Sequence, residues 1–297
     1  MAKGCAGADA KALAARYMRF MLLGEQATGK SSMLVALYGA LVNRRAGDLR
    51  IVRTVDDVEF LSRGLLAFAR QESLRRTEVD SDAALLVDLA TGEHVVSLDI
   101  PDRSGELLKH MLDARVWDPD LLAQIGPAAG AMLFLRADLL APDESPDVQP
   151  GSDDSGVVEP AETVARDTAE LGWSPARMPA DARAVDLLQS LLAQRSQPLP
   201  LAIIVSAWDR VSASSPQPSP SHWLAENVTL LDQYLASNAD RLPHAVFGVS
   251  AQGGDFEAGL PGDLLAEDPW DRAYLVAPDG QRDTFAAPIL WLLEAST

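Results

Sequence analysis

Eight consecutive residues, Gly24-Glu25-Gln26-Ala27-Thr28-Gly29-Lys30-Ser31, fit G-x-x-x-x-G-K-[ST] and leave the chain few folds to choose from. The pattern cradles phosphate only where a buried strand hands over to a helix, and both flanks comply. Tyr17–Leu23 is an apolar run ending at Gly24, and residues 30–42 carry apolar residues at helical spacing. The two glycines let the backbone wrap close enough for the N–H groups of Glu25, Gln26, Ala27, Thr28 and the first helical turn, through Ser32, to meet phosphate oxygens. Lys30 places a positive charge on the β- and γ-phosphates, and the Ser31 hydroxyl is a ligand for Mg²⁺.

Further along, the pattern keeps alternating. Residues 56–76 read as a second helix, acidic at the start and basic at the end. Residues 83–89 and 94–99 read as strands, joined by a turn short enough to force a hairpin. Residues 128–136, 199–205 and 245–250 are further buried strands, with helices expected at 181–195, 222–240 and 288–295. Strands alternating with helices predict a three-layer α/β domain, its sheet mainly parallel with one antiparallel edge strand. On this reading residues 1–16 are a lead-in and 17–297 one domain, with a helical insertion at about 44–76 and an acidic, Pro/Ser-rich one at about 141–180.

Net charge narrows the partners. With 43 acidic residues against 25 basic ones, the chain carries −18 and lacks the clustered cations that nucleic acid or an anionic membrane requires. A polyanionic nucleotide must then be held by a local pocket. A single cysteine, Cys5, fits a reducing compartment, and no apolar run of membrane-spanning length or leader pattern is present, so a cytoplasmic protein is expected. His94, His110, His222 and His244 are scattered without metal-ligand spacing, so no zinc site is expected.

Three more segments carry candidate chemistry. Asp102-x-x-Gly105 follows the hairpin, where a carboxylate can hold Mg²⁺ through water and the Gly105 N–H can sense a γ-phosphate. Asp99 competes with Asp102 for the metal role. Residues 203–209, ending Ser206-Ala207-Trp208-Asp209, run an apolar strand into a carboxylate able to accept both the N1 and N2 hydrogens of guanine. Ser250 and Ala251 follow the next strand, where a backbone N–H can meet the guanine O6.

These elements stand in the order, and on the strand ends, of small Ras-like GTPases. LDIPDRSGE resembles their switch-II strand end, and SAWD stands where N-K-x-D would be. SAWD, GVSAQGG and the closing PILWLL together resemble bacterial double-GTPase families of the TRAFAC class, associated with GTPase-centred conflict or defence systems. The resemblance implies GTP and GDP as ligands with Mg²⁺, slow hydrolysis used as a switch, and a companion GTPase, activating protein or effector as partner. Departures accompany it. Ser206 and Ala207 replace Asn and Lys, so the lysine stem that packs on the base is missing; Trp208 is either a wall in its place or a side chain facing the core. Glu106 stands where Ras-like proteins orient water with Gln, and a carboxylate beside the γ-phosphate slows hydrolysis. No motif marks the Mg²⁺-sensing threonine; Thr77 is the choice and Thr54 the alternative, with Arg75 and Arg76 beside Thr77 as candidate cis arginines. Two rival readings stay open. One is an ATPase or small-molecule kinase, with Arg177, Arg183 and Arg195 as lid arginines; the other is a catalytically inactive nucleotide-binding scaffold.

Overall fold

Strand residues that alternate between two apolar faces must be covered on both, and this chain does so with helices. The structure is a computed structural model that describes residues 16–54, 58–72, 74, 85–100, 105–140, 178–211, 217–256, 259–260 and 262–297. Among them nine strands form one sheet: β1 (Arg16–Leu23), β2 (Arg50–Thr54), β3 (Leu85–Thr91), β4 (His94–Ile100), β5 (Gly130–Arg136), β6 (Leu201–Ser206), β7 (His244–Ser250), β8 (Tyr274–Val276) and β9 (Arg282–Asp283). Their order across the sheet is β2-β3-β4-β1-β5-β6-β7-β8-β9.

In β1, Phe20 and Leu22 face one layer while Met21 and Leu23 face the other. The first layer is built by α1 (Lys30–Val42), α2 (Val58–Ala69) and the C-terminal helix, whose Leu34, Phe68 and Leu292 are almost wholly buried. The second is built by α3 (Glu106–Ala114), α4 (Pro119–Ile125), α5 (Ala137–Leu140), α6 (Ala180–Ala193), α7 (Trp208–Val211), α8 (Pro220–Asn227) and α9 (Thr229–Ser237), with Met111, Leu188 and Leu231 at its centre. Two four-residue helices, α10 (Gly262–Leu265) and α11 (Pro269–Arg272), precede β8, and α12 (Ala287–Ala295) closes the chain.

The three-layer, mostly parallel α/β architecture expected from the sequence is present, with three differences of detail. β4, β1, β5, β6 and β7 run parallel, but two strands run against them, not one. β3 lies inside the sheet because β2 pairs beyond it, and β8 reverses the far side. The segment expected to be a helical insertion therefore contains an edge strand, Arg50–Thr54, as well as α2. The third difference concerns residues 222–240. The helix expected there breaks at Val228, whose φ of −131° and ψ of 49° are not helical. The expected insertion at 141–180 and the lead-in fall largely outside the described residues, as do Arg75, Arg76, Thr77, Asp102 and Arg177. No helix among the described residues is long and apolar enough to cross a membrane.

The chain leaves β1 toward β4 on one side and later toward β5 on the other. Ligands of open α/β sheets bind outside the carboxyl ends of the strands at such a reversal. Leu23, Ile100, Arg136, Ser206 and Ser250 all end their strands along this edge. Packing there is tight. Trp208 is fully buried against Trp223 at a ring distance of 6.1 Å, and a Cβ built on Gly248 would lie 2.3 Å from the Trp208 ring. Gly248→Ala is therefore expected to lower stability by about 1–3 kcal/mol, measured by chemical denaturation, because the added methyl must displace a packed ring.

Candidate nucleotide site

The loop after β1 is held by hydrogen bonds from side chains within it and from the neighbouring strand ends. Lys30, only 4% exposed, reaches back across the loop to donate to the carbonyls of Gly24 (2.5 Å) and Glu25 (3.0 Å). Thr28 Oγ1 donates to the Glu25 carbonyl at 2.8 Å. Ser206, at the end of β6, donates through Oγ to the Thr28 carbonyl at 2.8 Å, and Arg136 Nη1 reaches the Ala27 carbonyl at 3.4 Å. Carbonyl and following N–H point opposite ways across a trans peptide. With the Ala27 and Thr28 carbonyls tied back to β5 and β6, the N–H groups of Thr28 and Gly29 point away from the sheet, as an anion-binding loop requires.

Gly29 takes φ +90°, and a Cβ there would sit 2.9 Å from Ser206 Cβ, so the loop closes on β6 only with glycine at this position. As the N-cap of α1 it brings no side chain to the first-turn N–H groups. Ser31 and Ser32 stand half-buried in that turn, where helix dipole and N–H groups favour phosphate.

Gly105 is the second fixed point. It caps α3 at φ +76°, and a Cβ on it would lie 2.5 Å from the Gln26 nitrogen and from the Glu25 carbonyl carbon. The start of α3 thus rests directly on the phosphate loop. Glu106, the next residue, accepts from Gln26 Nε2 at 3.3 Å, so the acid in the water-orienting position is tied to the loop.

At the other end of the edge, Ser250 Oγ donates to Asp209 Oδ1 at 2.6 Å. The two candidate base-reading segments, SAWD and GVSA, therefore meet. Of the two orientations the sequence leaves open for Trp208, a wall for the base or the core, the structure shows the core, at 0% exposure. Ala251 is half-buried just beyond Ser250. Asp99 is 1% exposed and ion-paired to Arg19 on the neighbouring strand, so its carboxylate is already engaged within the sheet; Asp102 lies outside the described residues.

Three arginines that sequence reasoning gave no positioning role, or a different one, organise the rest. Arg183 on α6 holds Glu25 through two bonds of 2.8 and 2.9 Å and Asp113 on α3 at 2.7 Å. Burial works against its charge, but the hydrogen bonds to Glu25 and Asp113 outweigh that and raise its pKa. Hydrogen bonds from Lys109 and Arg183 lower the pKa of Asp113. Arg272 donates to the carbonyls of Gln252 (3.1 Å), Glu267 (3.1 Å) and Phe68 (2.5 Å), pinning the loop after β7 to the end of α2. Arg195, a candidate lid arginine, instead caps the carbonyls after α4, at Ile125 and Ala128. Only the oversupply of arginine hinted at these roles: the chain has four lysines among its 25 cationic residues.

A family model described as Double-GTPase 1 matches residues 21–292. No curated protein matches the chain. Among solved structures, it is similar to the Saccharomyces cerevisiae Ski7 GTPase-like domain bound to GTP, at 12% identity and TM-score 0.50, over 99% of this chain and 53% of that one. Weaker matches are Methanosarcina barkeri Roco2 RocCORdC bound to GDP (11% identity, TM-score 0.35, 82% and 46% covered) and Sup35 complexed with GDP (12%, 0.34, 80% and 38%). The chain spans about half the length, or less, of these chains.

Removing Arg183 takes its guanidinium away from Glu25 and leaves Asp113 to Lys109. Arg183→Ala is expected to cost about 1–3 kcal/mol in denaturation, below the cost of breaking a fully buried pair because Glu25 and Asp113 keep 32% and 23% side-chain exposure. The lowered pKa of Asp113 adds a pH signature. Its contribution is complete above the ordinary carboxylate pKa of about 4 and fades as pH falls through the lower folded value. The stability gap between wild type and Asp113→Asn is therefore expected to narrow below about pH 4.

Proposed function

The chain belongs to the Double-GTPase 1 family, and from that premise we propose that it binds GTP and GDP with Mg²⁺ and hydrolyses GTP slowly, as a switch. The observation that carries the reading is the meeting of Asp209 and Ser250 at the end of an edge whose middle is a braced phosphate loop. An ordered carboxylate there answers the paired N1 and N2 donors of guanine, which adenine does not present. The GTP bound to the similar Ski7 GTPase-like domain points to the same ligand.

In this reading Lys30 and the loop N–H groups hold the phosphates, and Gly105 senses the γ-phosphate where it abuts Gln26. Ser31, Thr77 and Asp102 are the oxygen donors for Mg²⁺, a hard cation that suits hydroxyl and carboxylate ligands. When bound, Mg²⁺ neutralises charge on the β- and γ-phosphates. Arg183 neutralises the Glu25 carboxylate, which would otherwise oppose a polyanion at the loop. Glu106 supplies no amide to orient water, so turnover is slow and an activating partner or companion GTPase is implied. The setting, a conflict or defence system in the cytoplasm, rests on family resemblance alone. Arg195 is committed to backbone carbonyls, which counts against a kinase lid.

Calorimetric titration with GTP, GDP and ATP, each with Mg²⁺, tests this. Tight guanine binding with little for ATP is expected, and Asp209→Ala should weaken GTP by about a hundredfold or more. Equal or tighter binding of ATP would replace the guanine reading with an ATPase. Tight GTP binding without any turnover, partner included, would make the chain a scaffold.

A further inference from the structure

The proposed site lacks one part. A purine needs a flat wall on its face, and the segment that supplies it in N-K-x-D proteins is reduced here to Ala207, a methyl group at φ +55°. Trp208 cannot serve because it is buried in the core against Gly248 and Trp223. β6 therefore contributes no side chain long enough to cover the base.

The neighbouring strand does. Arg136 ends β5 in register with Ser206, and the two hold consecutive loop carbonyls, Ala27 and Thr28. Asp138 grips Arg136 through both oxygens, at 2.7 Å to Nε and 3.0 Å to Nη2. The same carboxylate takes Arg210 Nη1 at 2.5 Å, and Arg210 Nη2 goes on to Asp255 at 2.7 Å, in the loop after β7. Arg210 directly follows Asp209. The guanidinium of Arg136 is thus tied to the phosphate loop on one side and, through Asp138, to Arg210, the residue after Asp209, on the other.

Guanidinium N–H groups donate in the plane of the group, so these hydrogen bonds occupy its edges and not its faces, and the side chain keeps 32% exposure. A planar, weakly hydrated cation held by its edges is well suited to lie on an aromatic face. We propose that Arg136 is the wall against which the purine of the nucleotide stacks, taking over from β5 what the missing lysine stem would do from β6. The assignment rests on the nucleotide reading above. Arg136 gives affinity for the base, while Asp209 gives the choice of guanine.

The test compares two ligands on the full chain by calorimetry with Mg²⁺: GTP, and inorganic tripolyphosphate, which has the phosphates and no base. Arg136→Ala is expected to weaken GTP about tenfold more than tripolyphosphate, whose smaller loss reports the bond to the Ala27 carbonyl, with Arg136→Lys recovering only part of the GTP loss. Equal losses for both ligands would make Arg136 a support of the phosphate loop only, and an unchanged GTP affinity would also overturn the wall. Should Arg136→Ala not fold, as judged by thermal melting, Arg136→Gln carries the same comparison. If wild type binds no GTP, the nucleotide reading fails first; if it binds GTP and the variants do not differ, the wall alone fails.

Discussion

A phosphate loop works only if its carbonyls are taken up by something other than the phosphate, and here the neighbouring strand ends take them. Ser206 from β6 and Arg136 from β5 hold the Thr28 and Ala27 carbonyls, while Lys30 and Thr28 brace those of Gly24 and Glu25 from within. Everything else at the edge is arranged around that bracing. α3 can begin where it does because Gly105 has no Cβ to strike the loop, and the loop can close on β6 because Gly29 has none. The site is a consequence of five parallel strands ending together at the point where chain order reverses.

Arginine does the connecting in this acidic chain, and its geometry explains why lysine is rare. Arg183 joins loop, α3 and α6; Arg210 joins Asp138 to Asp255; Arg272 gathers carbonyls from three segments. Each case needs a fork of donors in fixed directions, which an ammonium group does not provide. Lys30 is the exception where a point charge suits the task. The Arg183 junction also gives the loop and α3 a shared partner, through Glu25 and Asp113.

Most of the fold was legible because long apolar runs bounded by loops identify buried strands, and α1 spans Lys30–Val42 as its pattern predicts. β2 was missed because Arg50-Ile51-Val52-Arg53-Thr54 is short, lies at an edge and has no alternation to separate it from the helix that follows. β8 and β9 were missed for a similar reason, although Pro278-Asp279-Gly280 carries a turn signal, with Gly280 at φ +89°. At the site, the loop, Gly105, Asp209 and Ser250 could be placed by motif and strand end. Arg136, Arg183 and Arg272 could not, because each acts on residues distant in sequence and belongs to no motif. Trp208 shows the same limit from the other side: its position in SAWD left base and core both open, and the space over Gly248 settles it in the core.

In the proposed complex one guanine nucleotide spans the edge from the loop after β1 to the ends of β6 and β7. Hydrogen exchange of the full chain with Mg²⁺, with and without saturating GTP, tests it most directly. Slowed exchange is expected together in residues 24–32, around Gly105 and Glu106, and in 206–209 and 250–252, with no comparable protection from ATP. Protection confined to the loop, or equal protection by ATP at 206–209, would contradict the account.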